Sequence, residues 1–400
     1  MTKKEKIIRE LSIALSYILV AVAAAVITLA VTAGNGSTIV FPGTSKLEEL
    51  QKLLETYYID IDKVEMTKVE DAAANAMVEA LGDRWSYYVT KEEYAQLMEQ
   101  NANSYVGIGI TITTREDKQG FDITKVEPGG SAQAGGILPG DILIGAEGER
   151  FINVDSSVCS GIIRGKEGTK VTVNVIRDGE ELSFELTRQT IKTKVAEGKM
   201  LPGNIGLVSI TNFNDRCAEE SIAAIESLIE QGATAFIFDV RNNPGGYKHE
   251  LVKLLDYLLP EGKLFVSKDY TGKESTDWSD DKCLRMPMAV LINGNSYSAA
   301  EFFAAALEEY EWATVVGDPT TGKGNFQVTF QLSDGSGVGL SIGKYFTPKG
   351  VSLADAGGLV PKVLVEISEE LEAKIYSDLV PPEEDPQIQA AVNALTEGTK

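Results

Sequence analysis

Two nearly continuous apolar runs, 233–240 and 288–293, most constrain what this chain can fold into. Runs of that length without polar alternation read as strands covered on both faces, the habit of parallel sheets whose connections are helices. The flanking patterns agree. Residues 204–211 read as a strand, 216–231 as an amphipathic helix, and 250–259 and 298–310 as helices following the two runs. Alternating strands and helices make the C-terminal half an α/β domain. In such sheets, sites form where loops leave the carboxyl ends of strands. The first run leads into Asn242-Asn243-Pro244-Gly245-Gly246 and the second into Asn293-Gly294-Asn295-Ser296-Tyr297-Ser298, so a glycine pair and a serine stand at strand ends.

A hydroxyl nucleophile needs a base, ordinarily histidine, and the 400 residues include 1 histidine. His249 falls at a predicted helix start and reads as a surface residue rather than as a base for Ser298 oriented by Asp239. A lysine can serve instead when burial lowers its pKa. Lys323 lies between glycines that let it enter a tight site. Ser298 opens a helix of small residues, beside free N–H groups. The Ala299 N–H and one amide of Gly245-Gly246 could supply the two donors an oxyanion needs. Gln327, on the following strand, is placed to hold the lysine amine. Spacing alone is equally compatible with a Ser298 that caps its helix and a solvated Lys323. The stretch 317–323 imitates a phosphate loop, but Gly324 replaces the required hydroxyl and a strand pattern follows, which argues against a nucleotide.

The middle of the chain is β-rich. Residues 106–112 and 121–126 alternate, further strands read at 142–146, 170–177 and 182–188, and Asp178-Gly179 is a hairpin turn. Residues 46–99 read as helical, with Leu47, Leu50, Leu53 and Leu54 in one stripe and Ala73, Met77, Ala80 and Leu81 in another, both expected to be core. Asp60 and Asp62 read as a solvated turn rather than a metal site. At the N-terminus, Lys3, Lys4, Lys6 and Arg9 precede an uncharged apolar run, 11–33, long enough to cross a hydrocarbon core of roughly 30 Å. This reads as a retained transmembrane anchor with a cytoplasmic tip, leaving everything after Ala33 outside. A Gly/Ser/Thr-rich tether, 34–44, follows.

The 59 acidic against 37 basic side chains give a net charge of -22, which excludes a nucleic-acid partner driven by clustered Lys and Arg. The 3 cysteines lack CxxC spacing, so neither a disulfide framework nor a metal site is expected, and no cofactor is implied. The acidic segment from Glu369 is a candidate helical arm, either solvated or used in a homodimer.

Several motifs together resemble a known family. Gly107-Ile108-Gly109-Ile110 and Gly135-Gly136-Ile137-Leu138-Pro139-Gly140-Asp141 are similar to the carboxylate-binding loop and signature of bacterial-protease PDZ domains. Asp239 to Gly246, Asn293-x-x-Ser-x-Ser298-Ala-x-Glu301 and Gly322-Lys323-Gly324-x-x-Gln327 resemble the C-terminal processing peptidases, tail-specific serine proteases of family S41. The likeness runs from about Leu47 through Tyr345-Phe346-Thr347-Pro348 to Asp385-Pro386-Gln387. It implies an α/β protease core (ClpP/crotonase-like sheet with helices) carrying an inserted PDZ domain that binds protein C-terminal tails. It also implies Ser298 as nucleophile, Lys323 as general base, Gln327 as its orienter, and Gly246 and Ala299 as oxyanion donors. Tyr297, Ala300 and Pro361-Lys362 depart from the family pattern. The expected organisation is then 1–34 tip and anchor, 35–100 linker and helices, 101–190 PDZ, 191–368 protease core and 369–400 C-terminal arm. A further expectation is that Arg164, in a glycine-rich loop, links PDZ to protease. The rival is a catalytically silent PDZ adaptor.

Overall fold

The structure, a computed structural model, describes residues 45–377 and 379–397. The run 11–33 and the tether 34–44 lie outside these residues. Among the described residues, no helix is long and apolar enough to cross a membrane. The chain divides into two compact units, Met1–Glu70 and Asp71–Lys400.

In the first unit, the helix Lys46–Tyr57 starts at a capping box in which Ser45 and Glu48 satisfy each other's backbone N–H groups. Its leucine stripe was expected to be core, yet the helix buries no side chain, and Leu47 and Leu50 are about half exposed. The helix Met66–Glu79 likewise buries none. Amphipathic spacing encodes a face, but a face becomes core only where another layer covers it.

Both apolar runs are strands of the second unit. Its main sheet runs in the order Ala196–Leu201, Ile205–Ile210, Ala235–Asp239, Met288–Ile292, Ala313–Gly317, Val363–Leu364. All neighbours are parallel except the first pair. In Met288–Ile292, alternate side chains divide between two cores. Met288, Val290 and Ile292 join the helices Cys217–Glu230, Lys248–Leu258 and Ala299–Glu309. Ala289 and Leu291 instead meet Ile388, Ala391 and Leu395 of the helix Pro386–Glu397. Covering both faces is why these strands carry no polar alternation. The segment expected as a separate acidic arm therefore ends in a helix that completes the protease core.

A second, antiparallel sheet is built from Tyr87–Val89, Gly337–Phe346, Gly262–Asp269 and Glu274–Ser279, with Asn325–Gln331 paired to Gly337–Phe346. Tyr87–Val89 interrupts a region expected to be helical throughout. It pairs with Gly337–Gly339, and a Cβ on Gly339 would stand 2.4 Å from the Tyr87 ring. The long-range partner, absent from local periodicity, makes it a strand.

The middle unit forms its own sheet, in the order Ile110–Thr114, Phe121–Val126, Ile142–Ala146, Lys170–Arg177, Glu180–Thr187, over a separate core. Asp178 and Gly179 both have positive φ, as a two-residue hairpin turn requires. Ser104–Gly107 and Gln189–Lys192 pair where this unit joins the rest.

Candidate active site

Two asparagines join the strand-end loops. The Asn242 N–H donates to Asn293 Oδ1, and Asn293 Nδ2 donates back to Asn242 Oδ1, both at 2.9 Å. The buried Asn243 donates to the Ile210 carbonyl and accepts the Gly245 N–H, which shapes the glycine turn. Ser296 Oγ donates to the Val240 carbonyl and receives the Asn293 N–H. Buried amide and hydroxyl groups in full hydrogen-bond use make a stiff support.

On that support Ser298 takes φ 58° and ψ -120° at the turn from Met288–Ile292 into the helix Ala299–Glu309. An ordinary capping serine sits in the extended region. A non-glycine residue at positive φ is strained and persists only where its surroundings enforce it. Gly245 packs against this turn. A Cβ there would lie 2.7 Å from Ser298 Cβ and 2.8 Å from the Ala299 nitrogen. A Cβ on Gly246, at φ 152°, would come closer still, 2.3 Å from the Phe213 carbonyl carbon. Neither the Gly246 nor the Ala299 N–H has an acceptor among the described residues, and both residues line the cavity that holds Ser298.

Glu301 organises the other half of the site. Its carboxylate is fully buried and accepts four bonds: the Ser298 N–H at 2.9 Å, the Lys323 N–H at 2.8 Å, the Gly322 N–H at 2.7 Å and the Thr320 hydroxyl at 2.6 Å. A buried carboxylate so supplied with donors is satisfied as an anion. The i, i+3 spacing of Ser298 and Glu301 is that of a capping box, a sequence signal that could have singled out Glu301.

Lys323 shares the 690 Å³ cavity with Ser298, Gln327 and Tyr345. Its Nζ lies 4.6 Å from the centroid of the Trp85 ring and 5.9 Å from that of Tyr297. Burial pulls its pKa down to about 8, while the charges of Glu301 and Asp83 hold its proton on and Arg84 opposes them. The Tyr345 hydroxyl donates to the Lys323 carbonyl and lies within hydrogen-bonding reach of Ser298. Tyr345 thus ties the lysine segment to the serine, a role no local pattern announces. Gln327 Nε2 donates to Ser341 Oγ at 3.0 Å and to the Asn325 carbonyl at 3.2 Å. Gln327 is thus in the cavity, with its described bonds running to the sheet. His249 is two-thirds exposed and stacks on Tyr247, while Asp239 is engaged by Arg241.

In the middle unit, Gly107, Ile108, Gly109 and Ile110 line a 270 Å³ groove between Ile110–Thr114 and the helix Ser156–Ile163. Ile110–Thr114 is an end strand of its sheet, so its outer edge can accept another strand. Arg164 also lines the groove, its guanidinium 4.8 Å from the Tyr105 ring and 3.8 Å from Glu99. Glu99 belongs to the helix Lys91–Asn101, whose Leu97, Gln100 and Asn101 line the Ser298 cavity.

The geometry agrees with comparison to known proteins. The model of peptidase family S41 matches residues 204–365, and that of the PDZ domain matches 106–187. The carboxy-terminal processing protease CtpA of Bacillus subtilis (strain 168) is 32% identical over 369 residues, covering 90% of this chain and 78% of that one. The "Probable CtpA-like serine protease" of Staphylococcus aureus (strain COL) is 31% identical over 326 residues, covering 80% of this chain and 64% of its own. A solved structure assigned to an S41 protease of Bacteroides fragilis NCTC 9343 shares the fold at TM-score 0.51 and 16% identity, over 82% of this chain and 90% of that one. With a strained serine at a strand end, a glycine turn against it and a peptide-sized groove beside the core, the chain belongs to peptidase family S41, as a C-terminal processing serine protease with a PDZ domain.

Proposed function

We propose that this chain is a serine endopeptidase that cleaves with a Ser298–Lys323 dyad and selects substrates by their C-terminal tails. The observation that carries the reading is a lysine pulled down to about 8 in the cavity that holds the strained Ser298. Ser298 Oγ attacks the scissile carbonyl as the neutral Lys323 amine accepts its proton. The Gly246 and Ala299 N–H groups receive the developing oxyanion. The lysine ammonium then protonates the leaving amine, and the freed amine takes a proton from water to hydrolyse the acyl-enzyme. The tail adds as a strand beside Ile110–Thr114, with its carboxylate among the amides of Gly107 to Ile110. Arg164 lies where the arriving carboxylate would compete with Glu99 for it, which supports a link between tail binding and the cavity.

The test is cleavage of an unstructured peptide with an apolar C-terminus. Ser298→Ala and Lys323→Ala should each lose about 10³-fold or more in kcat while still binding the peptide. A wild type that binds the peptide without cleaving it, as both variants do, would leave only the silent PDZ adaptor, and variants that still cleave would overturn the dyad.

The apolar run 11–33 supports an extracytoplasmic enzyme held by one membrane helix. Deleting 1–34 should release the protein from the membrane fraction. A truncated protein that stays membrane-bound refutes the anchor.

A further inference from the structure

Trp85 belongs to a segment that approaches the lysine from outside the strand-end loops. The Asp83 carboxylate accepts the Trp85 N–H at 3.1 Å and the Ser86 hydroxyl at 2.6 Å, closing a tight turn. Ser86 Oγ accepts the Ser341 N–H at 3.1 Å, which fastens the turn to the strand Gly337–Phe346. The Ser341 hydroxyl in turn bonds Asp83 and receives the Gln327 amide. A continuous hydrogen-bonded bracket thus runs from Gln327 through Ser341 to Asp83 and Ser86, and the side chain it holds out is Trp85.

That indole leans on Tyr297, with ring centroids 5.8 Å apart and planes inclined by 32°. Lys323 Nζ is within 6 Å of both rings. The Arg84 guanidinium also lies against Trp85, 4.2 Å from the ring centroid. We infer that Trp85, held by the Asp83–Ser86–Ser341–Gln327 bracket and backed by Tyr297, is a positioning residue for Lys323 that keeps water from its amine. Gln327 acts on the lysine through this bracket. The inference rests on the dyad reading for its catalytic meaning, but not for its effect on the lysine itself.

The charged and titratable groups facing the amine set the expected sign. Asp83 from the bracket and Glu301 from the helix favour the ammonium, whereas Arg84 and burial disfavour it. The Tyr297 and Tyr345 phenols are both pushed up by burial and stay neutral. An aromatic face also attracts a cation, so the indole acts in two senses. Its exclusion of water sets the expected sign, because burial is the largest influence on the lysine's pKa and the indole stands 4.6 Å from the amine. Removing the indole admits water and leaves Asp83 and Glu301 in place, so the pKa should climb.

The experiment uses two measurements on Trp85→Ala and Trp85→Phe. In otherwise native protein, the acid limb of kcat/KM should move up by about one pH unit in Trp85→Ala and return in Trp85→Phe. In the Ser298→Ala background, the same shift should appear in the NMR titration of 13C-labelled Lys323, identified by its loss in Lys323→Met. If Trp85→Ala lowers kcat or stability with both midpoints unmoved, Trp85 is merely structural and the inference is overturned. If the NMR midpoint moves and the activity limb does not, the inference stands and Lys323 is not the base.

Discussion

The backbone N–H groups of Ser298 and Lys323 converge on one carboxylate oxygen, Glu301 Oε2, at 2.9 and 2.8 Å. The proposed nucleophile and the proposed base thus share one anchor, placed one helical turn after the serine. Because that anchor is buried and charged, it fixes two backbones and also acts on the lysine through space.

Glu301→Gln keeps the shape but turns one acceptor into a donor facing N–H groups. Each lost bond to a buried charge costs roughly 1.5–3 kcal/mol, so the melting temperature should fall and kcat should drop about 10²-fold. The pH profile separates electrostatics from structure. Wild-type kcat/KM should rise with pH and reach half its plateau near 8, as Lys323 loses its proton. The Glu301 charge favours the ammonium, so its removal should move that midpoint lower. A midpoint that moves up would contradict the assigned electrostatic role.

Gly245→Ala should lower activity by about 10²-fold or more, since its Cβ would collide with Ser298 Cβ and with the Ala299 nitrogen, the proposed oxyanion donor. Gly140→Ala is the control. It also has positive φ, 93°, but its Cβ would meet nothing within 4 Å, so it should lose stability on the order of 1 kcal/mol and no activity. Equal activity losses in the two variants would mean that backbone strain, not the collision, is responsible.

Arg164 and Glu99 should behave as one unit. Arg164→Ala and Glu99→Ala should each weaken the dependence of cleavage on the substrate's C-terminal tail, and the double variant should be no worse than either single one. Peptide titrations of kcat/KM, run with a free carboxylate and with an amidated terminus, measure this. Strictly additive effects would separate the two residues.

The runs at 233–240 and 288–293 are buried parallel strands because each has a helical layer on both faces, and such strands announce themselves by lacking alternation. Asp178-Gly179 marks its hairpin because two positive φ angles demand such residues. The leucine stripe at Leu47 and Leu50 misled, since periodicity describes one face and says nothing of its cover. The segment beyond Glu369 misled in the opposite direction, because acidic and proline residues around 381–386 masked the apolar face of Pro386–Glu397.

The site divides in the same way. Sequence alone determined which residue types could do the chemistry. With a single histidine, a serine at a strand end and a lysine between glycines became candidates, but spacing fitted a helix cap and a solvated lysine equally well, and only the family resemblance assigned their roles. Tertiary structure alone decided the environment of the lysine. Trp85, Asp83 and Tyr345 reach Lys323 from distant parts of the chain. Desolvation depends on everything packed around a charge, and no local pattern carries that information.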